Sequence, residues 1–137
     1  MRYHFIIAIT GLLSLLLALL SLSASTSMQP VTHYQRIAAE LLHAQPEQAL
    51  GDQPRYEMLS ATHAIEIDRN SNWHKLLGLS LDYAFETGKR AGMILITDDV
   101  DDTNELLQLR ALIRQYNLPV TLWAIDKETE RLRPFAE

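Results

Sequence analysis

The residues best placed to do chemistry are carboxylates in segment 55–68, which reads RYEMLSATHAIEID. Side chains alternate between the two faces of a β-strand. Glu57 therefore falls on one face of a first strand, and Glu66 and Asp68 share one face of a second. The opposite face is apolar and consists of Tyr56, Met58, Ile65 and Ile67. The segment predicts a β-hairpin with its acids confined to one face of a sheet.

The register of this hairpin decides what the acids can bind. If the loop is centred between residues 61 and 62, Glu57 lies across from Glu66 and Arg55 across from Asp68. Directly opposed side chains have Cβ atoms roughly 4.5–5.5 Å apart. Two like charges at that distance destabilise a hairpin unless a cation lies between them, and a divalent metal prefers such oxygen ligands. The spacing therefore favours a metal site.

Alternatives remain open for this acidic face. Arg55 could neutralise Asp68, and Arg69 or Lys75 could neutralise a glutamate, which would leave the face simply solvated. The Ala-Thr pair is also uncommon in a tight turn. A loop longer by one residue would offset the carboxylates from one another.

The first 24 residues form a separate segment. Arg2 is followed by an apolar run over residues 5–20 and then by small residues suited to signal-peptidase cleavage. We expect a secretory signal at 1–24, a polar junction at 25–31 and one domain at 32–137 of an exported, periplasmic or secreted protein. The alternative is an uncleaved anchor in the inner membrane, because residues 5–22 carry no charge and approach the length of a membrane span.

Composition limits the classes of partner. The chain has 137 residues and no cysteine, so a single domain must fold without disulfides or thiolate ligands. It carries 12 basic and 17 acidic side chains, a formal charge of −5. Nucleic-acid-binding proteins usually present a basic surface, so this balance argues against a nucleic-acid partner. A basic groove would require Lys89, Arg90, Arg110 and Arg114 to lie together.

Periodic apolar residues predict the remaining elements. A helix is expected at 32–44, with Thr32 and Gln35 as a capping box, and a second helix from the 70–72 region to Thr87, ended by Gly88. The other predicted elements are strands at 48–50, 92–97 and 119–125 and a helix at 103–117. The predicted buried stripe of the second helix is Trp73, Leu76, Leu77, Leu81, Ala84 and Phe85. Helices that connect strands of one sheet imply parallel pairing. We therefore predict an α/β fold of three layers, a central mixed sheet flanked by helices.

The succession of these motifs resembles the PD-(D/E)xK restriction-endonuclease-like superfamily, and more narrowly a group of small bacterial proteins of that fold. The resemblance covers residues 55–125. The residues that carry it are Glu57, the THAIEID run at 62–68, Trp73, Gly78, Tyr83-Ala84, Thr87-Gly88-Lys89 and the MILI run at 93–96. It implies a restriction-endonuclease-like core.

That resemblance also implies metal-dependent hydrolysis of phosphodiester bonds. In the superfamily, an acid on the first hairpin strand and the first acid of an E-x-K signature hold Mg²⁺, while the lysine activates water. Carried over, this implies Glu57 and Glu66 as ligands of Mg²⁺ or Mn²⁺. Asp68 stands at the lysine position, where it could contact the metal or act as a base but supplies no positive charge. Lys75 could supply that charge from the next helix.

A second departure from the superfamily pattern is Leu79, which stands where related sequences have a glutamine that positions water. Two functions therefore remain. The first is an exported Mg²⁺-dependent nuclease that uses Glu57, Glu66 and Asp68 with help from Lys75. The second is a catalytically inactive nuclease-fold domain that serves as a binding or structural module of the cell envelope.

Overall fold

The computed structural model describes residues 28–47, 57–98 and 104–135. Its helices are α1 (Val31–Leu41), α2 (Trp73–Thr87) and α3 (Asn104–Gln115). Its strands are β1 (Gln45–Pro46), β2 (Glu57–Leu59), β3 (His63–Arg69), β4 (Arg90–Thr97), β5 (Val120–Asp126) and β6 (Leu132–Phe135). The predicted signal or anchor at 1–24 lies outside these residues. Among the described helices, none combines the length and the apolar character needed to cross a membrane.

The six strands form one sheet in sequential order, β1 to β6. The β3–β4 and β4–β5 pairs are parallel, and the outer pairs are antiparallel. Helices α2 and α3 supply the two crossovers between the parallel strands, as the sequence predicted. The mixed sheet of an α/β fold is thereby confirmed.

Helices cover both faces of the sheet. On one face, α1 packs through Tyr34 and Ala38 against Ile65, Ile94 and Ile96. On the other face, α2 and α3 pack against a second cluster that contains Trp73, Leu76, Met93, Leu95, Leu106, Leu109 and Leu122. The alternation of β4 side chains between these two clusters explains why its sequence is a continuous apolar run. The three-layer prediction is therefore confirmed.

The first helix differs from its prediction in two ways. It begins at Val31 after Pro30 and ends at Leu41, and no side chain caps its first turn. Gln35 does not form the predicted capping box. Its amide instead points inward, is buried and donates a hydrogen bond to the backbone carbonyl of Glu57 at 3.1 Å. The same carbonyl also accepts a hydrogen bond from the Glu47 amide at 2.9 Å, so Gln35 joins α1 to the hydrogen-bonded ladder of β1 and β2.

The boundaries of the second helix match the prediction closely. Helix α2 begins at Trp73 and ends at Thr87, and Gly88 adopts the left-handed conformation at φ 66° that favours glycine. Asn72 occupies the N-cap position, but its side chain makes no capping hydrogen bond. It donates instead to Asp68 at 2.9 Å.

The edge strands are where the sequence was least informative. A short edge strand forms at Gln45–Pro46, whereas the predicted one at 48–50 lies outside the described residues. Strand β6 was not among the predicted elements. It pairs with β5 through a turn in which the Asp126 carboxylate accepts hydrogen bonds from the amides of Glu128 and Thr129 at 2.9 and 2.7 Å. A proline within β6 is tolerated because this strand lies at the edge of the sheet.

Two glycines have opposite packing environments. A Cβ atom built on Gly92 of β4 would lie 2.9 Å from Trp123 Cζ3 and 3.0 Å from Ile65 Cγ1. A Cβ atom on Gly78 of α2 would meet nothing within 4 Å. Only the glycine of the sheet is therefore required by packing.

We expect Gly92→Ala to lower the free energy of unfolding by about 1–3 kcal/mol, because the added methyl group overpacks the core. Gly78→Ala is the matched control. It should raise the free energy of unfolding by up to about 1 kcal/mol, because alanine favours an exposed helix interior. Urea denaturation measures both values. Changes of the same sign in the two variants would contradict the packing argument.

Candidate metal-binding site

The hairpin register agrees with the sequence prediction, and Glu57 pairs directly with Glu66 across β2 and β3. The turn is closed by Ser60, whose hydroxyl oxygen accepts hydrogen bonds from the amides of Thr62 and His63 at 3.3 and 2.9 Å. Such side-chain hydrogen bonds to the backbone stabilise turns that lack the usual asparagine and glycine. The two carboxylates are therefore held side by side by a well-defined turn.

A third glutamate extends this pair into a row. Strands β1 and β2 are antiparallel, and the next step of their ladder is a hydrogen bond from the Glu47 amide to the Glu57 carbonyl at 2.9 Å. This register places Glu47 across from Glu57, just as Glu57 is across from Glu66. We call these three residues the glutamate row; it crosses three neighbouring strands on one face of the sheet.

Helix α2 covers the inner end of the glutamate row. Its buried stripe is Trp73, Leu76, Ser80 and Tyr83, at the spacing of one helix face. Glu66, beneath this helix, is only 4 % exposed. The innermost member of the glutamate row therefore sits among side chains of the core.

Tyr83 presents its hydroxyl group to the glutamate row. The side chain is 8 % exposed. Burial, followed by the negative charges of Glu47 and Glu57, a side-chain hydrogen bond to Glu47 and the charge of Glu66, raises the pKa of Tyr83 above its ordinary value. The hydroxyl is buried, and its contact with the Glu47 carboxylate falls short of ideal hydrogen-bond geometry. A protonated donor therefore faces a group of acceptors.

Asp68, predicted as a metal contact or base, has both carboxylate oxygens engaged by the chain. Oδ1 accepts the Arg69 amide at 2.7 Å, and Oδ2 accepts the Asn72 side-chain amide at 2.9 Å. These bonds organise the single 3₁₀ turn, Asn70–Asn72, that leads into α2. In this structure Asp68 serves to start the helix.

Two of the three basic residues considered as neutralising partners of the acidic face, Arg69 and Lys75, lie within the described part of the chain. Arg69 donates to the Gln29 carbonyl at 2.9 Å and lies near Tyr34 of α1, on the opposite face from Glu66. It therefore does not neutralise the row. Lys75 is exposed in the first turn of α2 and forms no ion pair among the residues described. Arg55, the remaining candidate, lies outside the described ranges.

The glutamate row does not fit a metal site with three preorganised ligands, but it fits one with two carboxylate ligands. Across residues 28–47, 57–98 and 104–135, no three acidic or histidine side chains form a preorganised metal-binding group. The predicted set Glu57, Glu66 and Asp68 is therefore not a cage. Mg²⁺ usually takes one or two carboxylates and completes its shell with water or substrate phosphate. The directly opposed Glu57 and Glu66 fit that arrangement.

Three of the four basic residues considered as a cluster do come together. Lys89, Arg90 and Arg114 line a groove of about 960 Å³ between the C-terminal ends of α2 and α3. Arg110 is not part of its lining. The Lys89 ammonium group donates to the Ala61 carbonyl at 2.9 Å. This groove shares no lining residue with the glutamate row and is otherwise lined mainly by apolar side chains, so it is a separate, largely apolar groove that carries three basic residues.

No protein-family model and no curated protein matches the chain. The resemblance of residues 55–125 to the PD-(D/E)xK superfamily accordingly stays a prediction from motifs.

The sequence did not single out Glu47 as a site residue. It lies in a connector rich in proline and glycine, which has no periodicity that would reveal a strand. Tyr83 was part of the motif resemblance but had no assigned role. Tyr83 lies three residues after the buried Ser80 and seven after Leu76, a spacing that places all three on one face of the helix. That spacing was the signal from which the position of Tyr83 could have been predicted.

We expect Asp68→Ala to lower the free energy of unfolding by about 1–2 kcal/mol, because the turn before α2 loses its acceptor. Asp82→Ala, on the exposed side of the same helix, should change it by less than about 0.5 kcal/mol. Urea denaturation in the presence of EDTA measures both variants without a metal contribution. Equal stabilities for the two variants would argue against the structural role of Asp68.

Proposed function

We propose that this chain is a metal-dependent phosphodiester hydrolase of the PD-(D/E)xK nuclease-like fold, with Glu57 and Glu66 as ligands of Mg²⁺ or Mn²⁺. The observation that carries the proposal is the direct pairing of these two carboxylates beneath α2. Two carboxylates held side by side offer oxygen ligands that one divalent cation can share.

The architecture supports this proposal. Helix, hairpin, helix, strand, helix and strand follow one another around a mixed sheet, in the order that the motif resemblance implies. A divalent ion at the pair would lower the pKa of a bound water and offset negative charge on a phosphate. Glu57 and Glu66 would hold that ion on the rigid hairpin. The substrate class implied is nucleic acid, encountered outside the cytoplasm if residues 1–24 direct export.

A catalytically inactive module of the same fold, binding or structural, in the cell envelope is the second candidate. The positions of the charged groups around the hairpin favour it. Asp68 replaces the lysine that the superfamily uses, and both its oxygens are engaged. Arg69 lies on the opposite face of the sheet. Leu79 is 40 % exposed on α2 and offers no hydrogen bond to water.

The decisive experiment compares the full-length chain, purified in mild detergent, with its Glu66→Gln variant. Each is incubated with labelled single-stranded DNA, double-stranded DNA and RNA in Mg²⁺ or Mn²⁺. We expect cleavage that EDTA abolishes and that falls by about 100-fold or more in Glu66→Gln, because a lost ligand weakens metal binding. Glu40→Gln, an exposed glutamate of α1, is the matched control and should cleave normally.

Two outcomes would redirect the proposal. Equal cleavage by wild type and Glu66→Gln would indicate a contaminating nuclease and contradict the assignment. Mn²⁺-dependent thermal stabilisation that is lost in Glu66→Gln, without cleavage of any substrate, would instead support the inactive module.

A further inference from the structure

The groove between the C-terminal ends of α2 and α3 has an apolar lining that continues the core. Its volume of about 960 Å³ is in the range of ligand pockets, about 300–1,000 Å³. Four half-buried side chains of this lining pack against the hydrophobic cluster beneath α2 and α3: Leu81, Ala84, Ile113 and Leu118. Part of the core therefore reaches the surface in a recess of ligand size.

Phe85 lines this groove without contributing to the core. It is 88 % exposed, and within the described part of the chain it packs against neither hydrophobic cluster. A single exposed aromatic residue is common on protein surfaces. This one borders an apolar recess, where a ligand in the groove would cover it. Its ring therefore extends the apolar lining toward solvent.

The charged side chains of the groove are all basic. Lys89 and Arg90 follow α2 on one side, and Arg114 lies in the last turn of α3 on the other. No acidic residue is among the described residues that line it, although the chain carries 17 acidic and 12 basic side chains. Lys89 already donates to the Ala61 carbonyl, and Arg90 has contacts of its own. Arg114 is exposed and makes no ion pair or hydrogen bond within the described ranges.

Charge complementarity indicates what the groove binds. Cations at the C-terminal ends of helices offset the helix dipole, which explains part of this placement. The dipole does not explain the apolar lining or the exposure of Phe85. An occupant with a hydrocarbon part and an anionic group matches all three features, because hydrocarbon binds the lining and the anion is attracted to the cations.

The size and shape of the groove favour a single chain over a protein or a membrane. Thirteen residues line it, fewer than the roughly 20–30 residues on each side of a stable protein interface. The four half-buried side chains lie in a recess, which a flat bilayer surface does not enter. A single hydrocarbon chain is narrow enough to contact them.

We propose that this groove binds a long-chain carboxylate, with the hydrocarbon chain against Phe85 and the apolar lining and the carboxylate at Arg114. Lys89 and Arg90 strengthen the positive potential on the other side of the groove. This binding site is independent of the proposed metal chemistry, because it shares no lining residue with the Glu57–Glu66 pair.

The test uses a photoreactive palmitate analogue that carries a diazirine in its chain. The full-length chain is irradiated with it in a neutral maltoside detergent, which supplies neutral competing chains in every sample, and crosslinked peptides are identified by mass spectrometry. We expect the label in peptides that contain residues 81–91 or 113–120. The alcohol of the same chain length should give about 10-fold less label, because it lacks the charge that Arg114 attracts.

Two variants of exposed residues test the two parts of the ligand separately. Arg114→Glu should lower labelling by the palmitate analogue about 10-fold, because attraction becomes repulsion, and should leave labelling by the alcohol unchanged. Phe85→Gln should lower labelling by both probes, because the chain loses an apolar contact. Arg36→Glu and Leu107→Gln alter exposed residues outside the groove. They are the matched controls and should be labelled as wild type is. Circular dichroism checks that every variant is folded.

Three results would overturn the proposal. They are equal labelling by the acid and the alcohol, label confined to other peptides, and a folded Arg114→Glu variant that is labelled as strongly as wild type. Suppression of the label by phosphatidylglycerol at lower concentrations than palmitate requires would also overturn it, since the occupant would then be a bilayer lipid. None of these readouts involves a metal, so each leaves the proposed function intact.

Discussion

Burial of β4 on both faces is the constraint on which the other parts of the structure depend. Ile94 and Ile96 pack beneath α1, while Met93 and Leu95 pack beneath α2 and α3. Fully burying one such side chain stabilises a protein by about 1.5–3 kcal/mol, a large share of the roughly 5–15 kcal/mol by which domains are stable. Strand β3 is paired in parallel with this buried strand. The same packing therefore fixes the height and direction of every side chain on β3, including the acids.

That constraint creates a gradient of polarity across the sheet. One continuous line of paired residues runs from Glu47 through Glu57, Glu66 and Met93 to Leu122. Exposure falls along it, since the outer two glutamates are half-buried and the inner three residues are buried. Among the described residues, α2 and the hydrophobic cluster close the inner end of this line, and exposure is greatest at its β1 end. A cation site on this face must therefore form at the glutamate end, where ligands and access coincide.

The sequence predicted those parts of the molecule that local periodicity controls. The period of two placed the acids of the hairpin on one face, and a loop centred between residues 61 and 62 gave the Glu57–Glu66 pairing. The apolar run of β4 indicated the three layers. The same period of two already placed Arg69 on the opposite face of the sheet from Glu66, a consequence that the charge-neutralisation alternative overlooked.

The sequence did not predict features that depend on tertiary packing. Phe85, expected in the buried stripe of α2, is 88 % exposed. Helix α2 instead turns Ser80 and Tyr83 toward the sheet. The helix has two partly apolar faces, and tertiary packing determines which of them is buried. Glu47 and β6 were missed for a related reason, since both depend on pairing with a distant strand.

The presence of Asp68, at the position where the motif resemblance implies a lysine, is explained by what comes next in the chain. Asp68 lies near the end of β3, directly before the turn that starts α2. The N-terminus of a helix carries a partial positive charge that favours a carboxylate and disfavours an ammonium group. Asp68 therefore stabilises the start of α2, and it does so at the position from which the superfamily's lysine would act on water. Under the proposed function, positive charge at a phosphate would come from the bound ion, with Lys75 on the exposed first turn of α2 as a candidate in the described part of the chain. Cation binding and hydrolysis would then be separable, because Glu57 and Glu66 would supply ligands without supplying the group that activates water.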